Sequence, residues 1–484
     1  MKYEPTIGLE IHVELKTKTK MFCASLNDPN EKRPNVNVCP VCMGHPGTLP
    51  VINKEAVRKV LMCGKALNGK LADYSRFDRK NYFYPDLPKG YQISQYKFPL
   101  VEGGELEVEI KNQKSKIKIT RIHLEEDTGR LIHAKDETSS LVDFNRAGVP
   151  LMELVTETCI NSGEQARKFA EELQLVLRYL EISDADMEKG QMRVEVNISI
   201  SQISNLKSKK LGTKVEIKNL NSFRSVERAV EYEIKRQTAV LEAGEKVIHE
   251  TRGWDEDKQK TFSQREKEMA HDYRYFPEPD LPPLKISELD FDLSLPELPE
   301  EKRKRFKEKY GLKDEAVEIF VRDFRMGKFF EAVCVHLAVK PPSGGLTATA
   351  ASYITSDLSG LMINGGISVD NLKINPEMFA KLVAMASKGE ISSRATKDVL
   401  KIMFEDGGDP EKIVKEKGLA QTSDDSFIKK IIDEVIKNNL AAVEEFKNGK
   451  ENALQFLVGQ GMKLSKGKAN PEALQKMLKE KLGK

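Results

Sequence analysis

The chain has 484 residues, 39% of them hydrophobic and 32% charged, with 78 Lys and Arg against 75 Asp and Glu for a formal net charge of +3. That length allows several domains, each with its own core, and the near-neutral balance argues neither for nor against nucleic acid. No apolar run approaches the ~20 residues of a membrane span. The start, Met1-Lys2-Tyr3-Glu4-Pro5, lacks the apolar stretch of a secretory signal, so the expectation is a cytoplasmic protein. Six scattered cysteines in a chain this long do not form a disulfide framework.

Strand signals come first. Ile7, Leu9, Ile11, Val13 and Leu15 alternate with Gly8, Glu10, His12 and Glu14, which predicts a strand with an apolar face on the core and carboxylates with an imidazole opposite. Cys39-Pro40-Val41-Cys42 follows, with His45 three positions on and Cys23 upstream. A site of Cys23, Cys39, Cys42 and His45 is chemically able to hold zinc; without a fourth Cys nearby, the reading does not favour zinc. Lys54–Leu67 carries a helical pattern that runs into Gly64-Lys65-Ala66-Leu67-Asn68-Gly69-Lys70. This stretch mimics a phosphate-binding loop but is followed by Leu71, so it lacks the Mg²⁺-binding hydroxyl, and it follows a helix rather than a strand. A helix end explains it better.

Further along, Ile117, Ile119, Arg121, His123 and Glu125 fall on one predicted face, and the strand runs into Glu126-Asp127-Thr128-Gly129. Gly163–Tyr179 reads as a helix. Arg193, Glu195, Asn197 and Ser199 alternate with Val194, Val196, Ile198 and Ile200, and Lys214, Glu216 and Lys218 with Val215 and Ile217. If these strands share a sheet, one face gathers carboxylates, two imidazoles, Arg and Lys. Hard oxygen donors of this kind suit Mg²⁺, and the cations suit phosphates.

The prolines of Tyr275–Pro283 end the strand-rich block. From Leu298-Pro299-Glu300-Glu301 the pattern is helical, broken at Pro341–Gly345 and again at Gly407-Gly408-Asp409-Pro410. The fold class expected is α+β: a large strand-rich domain over residues 1–290, then two small all-α domains over 291–405 and 406–484. Seven Lys against three Glu lie from Glu451 onward, around Ser465-Lys466-Gly467-Lys468.

The chain closely resembles the B subunits of glutamyl/aspartyl-tRNA amidotransferases. The stretches that carry the likeness are Ile7–Thr17, Phe77–Asp86, Tyr91–Gln95, His123–Asp127, Asp143–Glu153, Lys218–Phe223, Asp272–Asp280, Phe456–Gln460 and Lys466–Pro471, in order along nearly the whole chain. The resemblance implies a cradle-like kinase domain, a helical domain and a tail domain that contacts tRNA. It implies ATP-dependent phosphorylation of the side-chain carboxylate of Glu or Asp on a misacylated tRNA, then displacement of phosphate by ammonia. On the matching motifs, Glu10, His12, Glu125 and Glu153 are the expected Mg²⁺ ligands and catalytic centre. Lys80, Lys89 and Arg193 are expected at the ATP phosphates, and Lys463, Lys466 and Lys468 at tRNA. The sequence has no Gly-Gly-Ser-Ser amidase stretch, so ammonia is expected from an amidase-type A subunit in a heterotrimer with a small C subunit. Neither a membrane nor DNA is expected as a partner.

Two departures stand out. Many relatives carry Cys-x-Cys where this chain has Cys23-Ala24-Ser25, and the usual Arg-Cys-Asp-x-Asn strand reads Arg193-Val194-Glu195-Val196-Asn197. Two other readings compete: a silent tRNA-presenting scaffold, which has no need of Glu10, His12, Glu125 and Glu153, and an adenylating ligase, which would release AMP rather than ADP.

Overall fold

The computed structural model describes residues 3–111, 113–133, 139–202, 211–266, 273–337, 344–421, 425–465 and 467–483. The chain divides into two compact units, Met1–Leu298 and Pro299–Lys484.

The first unit is built on β1 (Tyr3–Glu14), whose side chains Ile7, Leu9, Ile11 and Val13 are completely or almost completely buried. Helix α1 (Lys54–Ala66) follows, capped by the Asn53 side chain on the Glu55 and Ala56 amides. Next come β2 (Asp78–Asn81), β3 (Tyr91–Ser94), β4 (Gln113–Glu126) and β5 (Pro150–Thr156). Helix α2 (Gly163–Tyr179) buries Ala166, Phe169, Ala170, Leu173 and Leu177, the spacing of one helix face, and Ser162 caps it. Then β6 (Met192–Gln202), β7 (Val215–Leu220), α3 (Phe223–Glu242), β8 (Glu250–Asp255) and β9 (Lys260–Glu266) complete the frame.

Among the described residues β1 and β4 to β9 join a ten-stranded sheet whose order from one edge is β9-β8-β7-β6-β1-β5-β4, antiparallel along this run except for the β7–β8 pair. Residues of all three helices merge with one sheet face in a single apolar core. The other face carries the charged side chains. Against its β4 end stands the β2–β3 hairpin, held by bonds from Ser94 Oγ to Glu125 and from the Ile93 amide to Glu126.

One expected face is corrected. Between the Val155–Arg121 and Thr156–Ile119 pairs the β4–β5 register shifts by a bulge. Ile117 and Ile119 therefore point into the core together with Ile122 and Leu124, while Arg121, His123 and Glu125 point away. The phosphate-loop mimic is a helix end, as expected: α1 stops at Ala66 and the Gly69 amide bonds the Gly64 carbonyl at 2.8 Å.

The second unit is helical throughout its described part. Phe306, Tyr310, Phe320 and Phe330 form one buried aromatic cluster. Of the expected break at Pro341–Gly345, residues 341–343 lie outside the described residues, and a helix starts at Gly344. The break at Gly407–Pro410 is a turn between packed helices: Asp409 caps Pro410–Lys417, accepts from Lys381, and leaves that helix against Pro376–Ser387 and Ser393–Asp406. A separate apolar cluster, Ile428 to Leu478, begins beyond it.

Gly64 tests the packing of α1. In an exposed helix, Gly→Ala stabilises by about 1 kcal/mol. Here an added Cβ would come within 2.4 Å of the buried, branched Val101 side chain. Gly64→Ala is therefore expected to destabilise, by about 1–3 kcal/mol, read as a lowered urea midpoint.

Candidate active site

Strand register alone builds the centre of the charged face. His12 lies opposite Arg193 on β6 and Glu153 on β5, and Glu153 lies opposite His123 on β4. A row Arg193–His12–Glu153–His123 thus crosses four strands. Both imidazoles direct Nε2 at the same oxygen, Glu153 Oε2, at 3.3 Å each. Glu125 stands 3.7 Å from His12 and 3.9 Å from His123, and receives the Ser94 hydroxyl at 3.1 Å.

Burial favours a neutral His12, but the hydrogen bond and charge of Glu153, with the charges of Glu125 and Glu195, outweigh it and push the pKa up to about 9. Burial likewise opposes the Glu153 carboxylate, yet His123 and His12 hold it well below the usual range. Nδ1 of the buried His123 has no hydrogen-bond partner among the described residues.

His12, Glu125 and Glu153 offer ligand atoms that all lie within 4.8 Å of one another. Two carboxylates and an imidazole with room for water fit a hard divalent cation. Glu10, expected in the same set, is placed in a second group with Glu195 and Glu216. Asn197 donates to Glu10 at 2.8 Å, and Lys218 lies 2.9 Å from Glu195 and 3.6 Å from Glu216.

The expected phosphate-binding cations differ in what holds them. Arg193 donates to Asp127 at 2.9 Å, and Arg146 also approaches Asp127 at 3.7 Å. Lys89 grips both oxygens of Glu126 at 2.5 and 2.6 Å. Lys80 makes no ion pair among the described residues; its Nζ stands over the Tyr273 ring at 5.1 Å and the Tyr82 ring at 6.0 Å. Burial opposes its charge, but Glu125, Tyr275 and Glu153 raise its pKa above the ordinary lysine value. Sequence reasoning missed Asp127, Arg146 and Ser94 as parts of this arrangement, although all three lie within the motifs that carry the family likeness.

Comparison with known proteins places the whole chain in a family. Residues 5–291 match the family described as GatB/GatE catalytic domain, and residues 329–482 match the GatB domain. The B subunit of the aspartyl/glutamyl-tRNA(Asn/Gln) amidotransferase of Caldicellulosiruptor bescii is 46% identical over the whole of both chains. The protein of the same description from Thermoanaerobacter pseudethanolicus is also 46% identical over both full lengths, and that from Crocosphaera subtropica is 45% identical over 99% of this chain and 98% of its own. The chain belongs to the family of amidotransferase B subunits.

In the first unit of this B-subunit chain the three thiols of Cys23, Cys39 and Cys42 also lie within 4.8 Å of one another. His45, proposed from sequence as the fourth ligand, lines the neighbouring cavity but does not join the three. Ser25 does come close, its Oγ 3.9 Å from Cys42 Sγ, as does the fully buried Lys20, whose Nζ reaches the same sulfur at 3.6 Å. The Cys23 hydrogen bond, against burial and with help from the Cys39 amide and Lys20, draws Cys42 down to about 4.

In the helical unit, Lys463 and Lys468 are exposed and line a cleft with Lys388, Arg394 and Lys417. Lys466 lies outside the described residues. No described helix is long and apolar enough to cross a membrane.

Purified protein is expected to hold little zinc by elemental analysis. Ser25→Cys would complete four thiolates and is expected to raise the content to about one zinc per chain.

Proposed function

We propose that this chain is the ATP-using, tRNA-binding B subunit of a tRNA-dependent amidotransferase that makes Gln-tRNA(Gln), Asn-tRNA(Asn) or both for translation. The observation that carries the reading is the cluster His12–Glu125–Glu153, with the Lys80 ammonium nearby and in no ion pair among the described residues.

A carboxylate is a poor acyl donor because its oxygen does not leave. Transfer of the γ-phosphoryl group of ATP to the side-chain carboxylate of tRNA-bound Glu or Asp gives an acyl phosphate and ADP. Ammonia then attacks the acyl carbon, phosphate departs, and the side-chain amide remains. Held by His12, Glu125 and Glu153, Mg²⁺ would neutralise charge at the transferring group.

The rest falls to the chain itself. Lys80, in no ion pair among the described residues, is available to phosphate oxygens. Arg193 and Lys89 are tied to Asp127 and Glu126; their role in this reading is to hold the acidic turn rigid and to reach phosphate from that anchorage. Glu10 joins the centre through the second acidic group, where Asn197 and Lys218 orient it. Ammonia comes from a glutaminase partner of the amidase type, with a small third subunit completing a heterotrimer, and the reaction belongs to the cytoplasm, where tRNA is charged. The cluster of Ile428 to Leu478 and the cations around it form the tRNA-binding tail, within the division into cradle, helical domain and tail over residues 1–290, 291–405 and 406–484.

In the assembled complex, Glu125→Gln and Glu153→Gln are each expected to abolish tRNA-dependent release of ADP while glutaminase activity and tRNA affinity stay near wild type. Normal ADP release would remove both from the centre; AMP in place of ADP would make the enzyme an adenylating ligase.

Lys463→Ala with Lys468→Ala is expected to weaken tRNA binding and to flatten its dependence on salt by about one unit of slope per lost phosphate contact. A titration of binding against salt decides this, and an unchanged slope would leave the tail a docking module.

A further inference from the structure

The charged face has an aromatic border that the phosphoryl transfer itself does not use. The rings of Tyr96 and Tyr275 are stacked, with centroids 4.2 Å apart and planes 8° from parallel. Tyr273 meets Tyr275 and Tyr82 edge-on, each at 6.0 Å, and both Tyr82 and Tyr273 flank Lys80. A continuous run of rings thus leads from the Lys80 ammonium out to the surface. The run is held in place: the Asn81 amide donates to the Tyr273 carbonyl at 2.9 Å and the Asn81 side chain to that of Arg274 at 2.8 Å. Phe276 pairs with Arg79 of β2, and Arg79 grips Glu278 with two bonds at 2.7 and 2.8 Å. Tyr275 lies close enough to the centre that, after burial, the charges of Glu125 and Glu153 help push its hydroxyl up to about 12, against Lys80.

Tyr96, at the outer end, is 58% exposed, and the nearby β2–β3 turn presents Phe83 at 95% and Tyr84 at 57%. Rings of this size are ordinarily withdrawn from water.

We propose that Tyr82, Tyr273, Tyr275 and Tyr96 form a stacking platform for the purine base at the 3′ end of the aminoacyl-tRNA. The inference rests on the reading of the reaction given above. The carboxylate that is phosphorylated is joined through only a few bonds and an ester to the ribose of the terminal adenosine. A side chain that reaches Glu125 and Glu153 therefore leaves that base at the rim of the site, where the rings are. Stacking needs only a π face, so one platform serves both the Glu- and the Asp-accepting tRNA, which share this terminal base. Lys80, at the inner end, is left for phosphate.

The adenine of ATP offers the same chemistry, and the test separates the two sources. The probe is uncharged tRNA with 2-aminopurine at its 3′ terminal position, added to the assembled complex. Its fluorescence is expected to be quenched by wild type and by Tyr96→Phe, and to escape quenching with Tyr96→Ala. With misacylated tRNA, Tyr96→Ala is expected to raise the KM for that tRNA roughly 5- to 100-fold with the KM for ATP unchanged. Unaltered quenching in Tyr96→Ala, or a rise in the KM for ATP alone, overturns the platform. Absence of ADP from wild type with misacylated tRNA would instead overturn the underlying reading, so the two failures are distinguishable.

Discussion

The position of β1 between β5 and β6 governs nearly everything on the working face. With side chains alternating across the sheet, a slip of one residue would carry Glu10 and His12 into the core and turn Ile11 and Val13 outward. Each apolar side chain buried by β1 contributes about 1.5–3 kcal/mol, and Ile7, Leu9, Ile11 and Val13 are all involved. That summed preference is larger than the gain any single ion pair on the other face could provide. The hydrophobic face can therefore hold together carboxylates that repel one another, and the charged groups of β1 sit on a strand whose register they do not themselves have to maintain.

The acidic groups are grouped with different counterions, which divides the face into parts. At the Asp127 turn, Arg193 and Arg146 answer Asp127 and Lys89 answers Glu126. In the Glu10 group Lys218 stands against Glu195 and Glu216. At Glu125 and Glu153 the compensation is two imidazoles, with Arg121 3.9 Å from the second Glu153 oxygen. The balance is least settled where a divalent cation and phosphates would complete it, and that is also where Lys80 stands in no ion pair among the described residues.

Much of this was legible in the sequence. The alternation of Ile7–Leu15 and of Arg193–Ile200 named the core and charged faces correctly, and the helical patterns of Lys54–Leu67 and Gly163–Tyr179 form helices there, with the caps Asn53 and Ser162 added by the structure. Two kinds of information were not local. A bulge near Thr120 reverses the face of β4, yet it is visible only in the pairing of β4 with β5. Proximity across a loop is equally hidden: His45 follows Cys42 closely in sequence, but Ser25 and Lys20, from the other end of the loop, are the groups that reach its sulfur. The Gly407–Pro410 turn has the composition of a break between helices, and its Asp409–Lys381 contact, which joins residues 28 apart, is likewise not readable from local pattern.

Lys20 gives the cysteine loop an unusual chemical vulnerability. Its ammonium, fully enclosed, bonds to the Cys42 sulfur and the Phe144 carbonyl. A reagent that alkylates Cys42 would take one hydrogen-bond partner from that ammonium, leave it the Phe144 carbonyl, and add bulk in the same small space. Gly148 leaves little room for adjustment, since a Cβ there would already touch Cys42 at 3.3 Å. The Gly148 amide also bonds the Asp127 carbonyl, so damage at one thiol has a short covalent and hydrogen-bonded route to the turn beside Glu125 and Glu153.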